Sequence, residues 1–357
     1  MNQDILVVGG YGVVGSRIAH ELAPEFAGRL IIAGRNSQRA QSMAALVGYG
    51  TRARVVDIED PSSIAAALDG VAVVVNCIDQ PRRLLLSVVL ERGLGYTDIT
   101  PHLVQLGRGT AFEKIDADAR ASGACVVLGT GIVPGISNVM VRALVDALDG
   151  ADEIETSLLL DARDISGPAS LEYFLQELAM SFDVHIDGAD LRKRAFSEPR
   201  LVDYPQPVGP RPSYLFPFSD QVLYPRTLGA RTAITRLALD PPWLARVLSM
   251  LSQTGAAKLL AAESIRRIFA RGRHARPGPG APFALRVDVR HGGNSRCATL
   301  VGQTQANAAA LGAAGVARAL ATGDVQWPGA WMPDQVIAPA PFLTWLAKRG
   351  LKVETRA

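Results

Sequence analysis

The sequence predicts an α/β protein in two parts: a doubly wound parallel sheet, then a second α+β domain carrying an open, largely antiparallel sheet. Three observations carry this expectation. Over the first 135 residues, apolar strand-length runs alternate with helix-length segments at βαβ spacing. A glycine-rich turn joins the first run to the first helix. Beyond that point the alternation gives way to period-two segments and hairpin turns.

The first strand is Ile5-Leu-Val-Val8, and a helix runs from Val13 to Leu22. Leu30–Ala33 is the second strand, followed by a helix near Gln38–Leu46. Arg54–Asp57 is the third, and Pro61 suits the first position of a helix over Ser62–Leu68. Val71–Cys77 is apolar throughout until Asn76, as a central parallel strand buried on both faces requires. Arg82–Arg92 reads as a helix, Gly95–Asp98 as a short strand, Ala111–Ser122 as a helix and Cys125–Leu128 as the sixth strand. Right-handed crossovers then give the order 3-2-1-4-5-6.

In the second part a helix is expected near Asn138–Leu148, and Glu153–Leu160 alternates like a half-exposed strand. A helix near Ser170–Ser181 precedes a hairpin turn at Asp187-Gly188. Residues 203–226 are rich in proline and aromatics and read as a cleft-lining segment. Helices follow over Pro242–Leu251 and Ala256–Phe269. Phe283–Arg290 and Arg296–Val301 form a hairpin, and Ala306–Leu320 an alanine-rich helix.

A chain of 357 residues, 48% hydrophobic and 20% charged, is long enough for two well-buried domains. A net charge of only +3 gives no reason to expect a nucleic-acid partner. The arginine run Arg266, Arg267, Arg271, Arg273, Arg276 has few aromatics among it and reads as a solvated helix end. Cys77, Cys125 and Cys297 are widely spaced, without metal-site spacing, and are read as reduced thiols of a cytoplasmic protein. Met1–Asp4 leads into the first strand without a signal-like region, and no apolar run suits a membrane span, so no membrane partner is expected.

The chemistry begins at Gly10-x-Gly12-x-x-Gly15. Between a buried strand and an amphipathic helix this is the dinucleotide-binding fingerprint of the Rossmann arrangement. Gly10 permits the turn, Gly12 admits a pyrophosphate, and Gly15 lets the helix pack on the strand, with the N–H groups of Val13 and Val14 facing the anion. In NAD enzymes an acidic residue about 20 residues further on binds the ribose 2′-hydroxyl. Here the second strand runs into Gly34-Arg35-Asn36-Ser37, with no carboxylate at its tip. A guanidinium there pairs with a 2′-phosphate, and Ser37 and Arg39 offer further donors, so NADPH/NADP+ is the expected cofactor. Ligands in such sheets bind beyond the carboxyl ends of the strands. That rule places Asp57 and Ile58 beside the adenine, Asn76 and Cys77 along the ribose and nicotinamide, and Asp98 and the Gly129–Gly135 turn, Gly131 included, near the nicotinamide.

Several motifs together resemble the saccharopine dehydrogenase-like reductases. They are Gly9–Gly15, Ala33-Gly34-Arg35, Val75-Asn76-Cys77, Tyr96-Thr97-Asp98 and Gly131-Ile-Val-Pro-Gly-Ile-Ser-Asn138. Towards the end, Gln303-Thr-Gln-Ala-Asn-Ala and Pro328-Gly-Ala-Trp-Met-Pro333 join them. The resemblance covers roughly 4–140 and 284–350 and is thin between. It implies a nucleotide domain over 1–135, a substrate and dimerisation domain over 136–303, and C-terminal helices over 304–357 returning to the first domain. It also implies an oxidoreductase that reduces an imine of an amino-acid-like substrate to an amine, or the reverse. Some members instead reduce C=C bonds in lipids.

Three functions remain open on the sequence: imine reduction, reduction of an activated C=C or C=O bond in a lipid or secondary metabolite, and NADPH sensing without catalysis. Imine reduction asks little of the protein beyond an oriented hydride, a dry pocket and at most one proton donor. No Tyr-x-x-x-Lys occurs. The candidate donors are Asp98, His102, Tyr173, Asp220 and Tyr224, of which Asp98 and Tyr224 are assigned as catalytic. Arg226 is the candidate for a substrate carboxylate, with Phe218 and Tyr173 lining the substrate. An open sheet whose edge or face needs cover suggests a homodimer through the second domain.

Overall fold

The computed structural model describes residues 3–99, 110–162, 180–254 and 282–356, together with 174, 177 and 178. The chain divides into two compact units, Met1–Ile136 with Asn307–Ala338, and Ser137–Ala306 with Pro339–Ala357.

The first unit is a seven-stranded parallel sheet. Its strands are β1 (Asp4–Val8), β2 (Leu30–Gly34), β3 (Arg52–Val55), β4 (Val71–Asn76), β5 (Gly95–Asp98), β6 (Cys125–Leu128) and β15 (Gly329–Trp331). They lie in the order β3-β2-β1-β4-β5-β6-β15, the doubly wound order with one strand added from late in the chain. The helices are α1 (Val13–Leu22), α2 (Ser37–Val47), α3 (Pro61–Ala67), α4 (Leu84–Glu91) and α5 (Thr110–Ser122). The central strands are apolar because both faces are covered: Ile5–Val8 and Val73–Val75 are buried. Strand β3 is at the edge and largely exposed, which accounts for its arginines. It also begins and ends two residues before the sequence suggests. Asp60 caps α3 by accepting the Ser62 N–H at 2.9 Å, and Pro61 follows in its first turn.

Register, more than composition, assembles the strand ends. Val8 pairs with Ala33 on one side and Asn76 on the other; Asn76 pairs with Asp98, and Asp98 with Leu128. The glycine turn after β1, the Gly34-Arg35 tip, the Asn76-Cys77 tip, Asp98 and the Gly129–Gly135 turn therefore share one end of the sheet. The strand order reverses there, between β1 and β4.

The second unit holds a nine-stranded mixed sheet. Its main path is β10 (Arg200–Asp203), β11 (Pro210–Leu215), β12 (Thr232–Asp240), β7 (Glu153–Asp161), β13 (Pro282–His291), β14 (Asn294–Gln303) and β16 (Val353–Arg356). A hairpin of β8 (Ser181–Ile186) and β9 (Ala189–Arg194) joins through β12. Only the β12–β7 pairing is parallel among these. Both hairpins turn on two residues of positive φ, Asp187-Gly188 (51° and 82°) and Gly292-Gly293 (56° and 85°), the twist that matches paired strands. Helix α6 (Ile136–Leu148) links the units in sequence, and α7 (Asp220–Thr227) and α8 (Pro242–Thr254) belong to the second.

The chain end is shared out differently from the sequence expectation. Residues 307–338, with most of α9 (Gln305–Thr322) and all of α10 (Pro333–Val336), belong to the first unit, where β15 pairs with β6. Residues 339–357 belong to the second. After α11 (Pro339–Ala347), β16 pairs with β14, and Leu351 packs where a Cβ on Gly302 would lie only 2.7 Å from it. The charged string Lys352-Val-Glu-Thr-Arg356 alternates as an edge strand does, a pattern too short to read from sequence alone.

The aromatic segment is also reassigned. Tyr204, Tyr214, Phe216 and Tyr224 are buried at 4% exposure or less. Phe216 meets Phe196 edge-on at 5.6 Å and Phe218 at 5.1 Å, and Phe174 stacks on it at 5.5 Å. These rings form core of the second unit, not a free wall. The expected helices over 170–181 and 256–269 lie almost wholly outside the described residues, as do His102, Tyr173 and the arginine run.

Candidate active site at the strand ends

The glycine turn has the shape a pyrophosphate needs. A Cβ on Gly10 would sit 2.8 Å from the Val7 carbonyl oxygen, and one on Gly15 would sit 2.4 Å from that of Gly9, so neither tolerates a side chain. Gly12 stands at the helix N-cap in extended conformation, no side chain caps α1, and its first turn carries no acid. That leaves the N-terminal N–H groups at Val13 and Val14 to an anion. The cradle fits a dinucleotide.

At the tip of β2, Tyr11 organises the approach. A Cβ on Gly34 would lie 2.5 Å from the Tyr11 ring and hydroxyl, so glycine is required for the ring to lie on the strand end. The Tyr11 hydroxyl accepts the Asn36 N–H at 3.2 Å, and the Arg39 guanidinium stands 4.6 Å from the ring centre. Asn36 caps α2, accepting the Arg39 N–H at 2.9 Å, and Ser37 accepts from Gln41 at 3.2 Å. Arg35, Asn36, Ser37 and Arg39 are all exposed. Two guanidinium groups and a helix N-terminus therefore face solvent where an NAD-specific site would place a carboxylate. Asp57 is engaged locally, accepting the Glu59 N–H at 3.0 Å while its own N–H donates to Ser63; Ile58 is buried.

Around Asp98, where the strand-end rule puts the nicotinamide, lies a buried polar network. Asp98, 1% exposed, accepts at Oδ2 from the Tyr96 hydroxyl (2.5 Å), the Asn76 amide (2.8 Å) and the Gln80 amide (3.4 Å). Gln80 also donates to the Tyr96 hydroxyl and accepts the Leu86 N–H of α4 at 3.2 Å. Burial, and then the neighbouring Asp98, push the Tyr96 phenol well above its ordinary pKa, so it stays a donor. Burial likewise raises the Cys77 thiol, with Asp98 adding to it; Cys77 is a neutral thiol and no nucleophile at ordinary pH. The Gly129–Gly135 turn hangs from the same residue: Thr130 donates to the Asp98 carbonyl through its N–H (3.0 Å) and hydroxyl (3.2 Å). Gly131 bridges Gly135 in that turn, and Gly312 of α9 lets the helix approach the Gly131 carbonyl.

In the second unit Tyr224 is buried and Phe218 half-buried, both on or beside α7, while Arg226 is exposed in its last turn. The unit's distinctive acid is Asp220. It is wholly buried and accepts the Thr235 hydroxyl at 2.8 Å and the Gln221 N–H at 3.0 Å. Burial raises its pKa to about 6 against these bonds. Sequence reasoning named Asp98 and Asn76 but passed over Tyr96, Gln80 and Tyr11. Tyr96 was readable in principle, since i and i+2 of a strand share a face with Asp98.

Among the described residues no group of three or more His, Cys, Asp or Glu could hold a metal ion, and no helix is long and apolar enough to cross a membrane. The doubly wound sheet, the glycine cradle and the basic β2 tip define a class, the NADP-binding proteins of the Rossmann arrangement. Comparison with known proteins is narrower. Residues 5–124 match the family model of the saccharopine dehydrogenase NADP binding domain. The apo histidine-tagged saccharopine dehydrogenase (L-Glu forming) from Saccharomyces cerevisiae shares the fold at a TM-score of 0.70 over 99% of this chain and 100% of that one, with 15% identity. A trans-acting enoyl reductase of Mycobacterium leprae (strain TN) is 28% identical over 227 residues, 58% of this chain and 53% of the relative, so the match spans about half of that protein. Residues 5–124 are thus similar to a saccharopine dehydrogenase NADP binding domain, and the chain shares the fold of saccharopine dehydrogenase.

Proposed function

We propose that this chain uses NADPH to reduce the C=N bond of an imine derived from an amino-acid-like substrate, or runs the reverse oxidation. The observation that carries the reading is the state of the strand-end acids. Asp98 already accepts three hydrogen bonds at one oxygen, and Cys77 and Tyr96 hold their protons tightly. An iminium carbon takes up hydride without needing a protein acid, because its nitrogen is protonated beforehand. Carbonyl reduction leaves an alkoxide, and C=C reduction an enolate, both of which ask for a donor.

NADPH supplies the hydride when bound. Gly10, Gly12, Val13, Val14 and Gly15 would hold its pyrophosphate, Arg35 and Arg39 its 2′-phosphate, and the 76–78 and 129–135 backbone its nicotinamide half. Arg226 is proposed to meet a substrate carboxylate, with Tyr224 and Phe218 shaping that region from within. The relative in Mycobacterium leprae favours a second reading, reduction of an activated C=C bond.

The test follows NADPH absorbance with two substrate sets: imines formed from a 2-oxo acid and an amine, and trans-enoyl thioesters. Turnover of the imines supports the proposal, turnover of the enoyl esters alone replaces it, and tight NADPH binding with neither revives the sensor. A homodimer through the second unit, whose main sheet path ends on β10 and β16, is part of the proposal, and light scattering at micromolar concentration checks it. The three free cysteines suit a reducing, cytoplasmic setting.

A further inference from the structure

The cofactor-side loop after β4 is held by a buried relay that runs from its own Asn76 turn to Asp98. The Asn76 amide donates to the Ile78 carbonyl (2.8 Å) and to Asp98 (2.8 Å), and its oxygen accepts the Ile78 N–H at 3.4 Å. Asn76 is fully buried, so both ends of its amide are committed. Ile78 in turn lies on the glycine turn: a Cβ on Gly9 would come within 2.7 Å of its Cγ2. Gln80, at the far end of the loop, bonds both Tyr96 and the start of α4. The main chain of Asp98 anchors Thr130 of the other turn. One buried residue thus fixes, through its side chain and its carbonyl, the two backbone segments that flank the nicotinamide end of the strands.

We propose that Asp98 is the central positioning residue of the NADPH site, not its proton donor, and that Tyr96 and Gln80 serve it by locking Asn76 and the 77–80 loop against Gly9. The chemistry supports this division. A carboxyl oxygen that receives three donors has no proton to give there, and an exposure of only 1% keeps it from a substrate. Asn76 needs a strong acceptor to hold its amide in the one orientation that bonds both faces of Ile78, and charge-assisted acceptors are about twice as strong as neutral ones. The loop, so held, is preorganised, and ordering it on binding would otherwise weaken cofactor affinity.

This rests on the reading that the chain binds NADPH, and the experiment separates the two. In the full chain, measure NADPH affinity by fluorescence titration, and hydrogen exchange of the Ile78 amide without cofactor, for the native protein and Asp98→Asn. Tyr96→Phe and Gln80→Met serve as milder variants should the first fail to fold. The expected result for Asp98→Asn is a Kd for NADPH about tenfold weaker and Ile78 exchange about tenfold faster, the scale of one lost charge-assisted bond. The milder variants should shift both by about threefold. Native Kd and native Ile78 exchange in folded variants would overturn the proposal. So would an Asp98→Asn protein that binds NADPH normally yet reduces its imine about a hundredfold more slowly, the signature of a lost proton donor. A native chain that binds no NADPH would instead sink the cofactor reading.

Discussion

Asp220 offers the sharpest quantitative test of the second unit. Its side chain is wholly buried on α7, where desolvation lifts the pKa from 3.8 to about 6 although Thr235 and Gln221 bond it. In the unfolded chain it returns to its ordinary value. A carboxyl whose folded pKa is raised favours the native state while neutral, and that advantage is lost as pH rises through the folded value. The difference of about 2 pK units corresponds to about 3 kcal/mol, fully lost above about pH 7. Asp220→Asn keeps a neutral oxygen for the Thr235 hydroxyl and the Gln221 N–H and cannot ionise. Urea unfolding followed by circular dichroism at pH 4 and pH 7.5 reads the effect. Relative to the native protein, the variant should gain about 2.5 kcal/mol between the two pH values, because the unfolded carboxyl is already about half ionised at pH 4. Groups titrating elsewhere cancel in that comparison. An equal stability difference at both pH values would show that Asp220 ionises in the folded protein as easily as in water, and the burial argument would fail.

Two further outcomes follow from local geometry. Gly34→Ala should destabilise the chain by about 1–3 kcal/mol, because the new methyl meets the Tyr11 ring at 2.5 Å. Removing the ring in Tyr11→Ala should abolish most of that penalty, and additive losses in a double-mutant cycle would refute the contact. Arg226→Ala should leave NADPH affinity intact and raise the KM of a carboxylate-bearing imine about tenfold or more, as losing a charged hydrogen bond does. An unchanged KM would return Arg226 to the role of a cation at a helix C-terminus.

The first unit was largely legible because its central strands are buried on both faces and two of its helices, α2 and α3, begin at recognisable caps. Periodicity and the Gly10–Gly15 spacing were enough to order six strands. The seventh, Gly329–Trp331, is three residues long and joins from far along the chain, beyond the reach of any local pattern. The site divides in the same way. Backbone-borne features such as the glycine cradle and the Arg35 tip are written in residue type and spacing. The Asp98 network is not, because two of the three donors that claim its carboxyl come from residues 18–22 positions away. The aromatic segment misled for a related reason: Tyr214 and Phe216 have the composition of a ligand wall, yet composition does not separate wall from core.

Paired titrations of NADPH and NADH against the native chain and Arg35→Ala test whether a guanidinium at the β2 tip selects NADPH. The native chain should bind NADPH well ahead of NADH. In Arg35→Ala the NADPH affinity should fall by about 1.5–3 kcal/mol, the worth of a charge-assisted pair, while NADH binding stays where it was. Equal affinity of the native chain for the two cofactors would contradict the account.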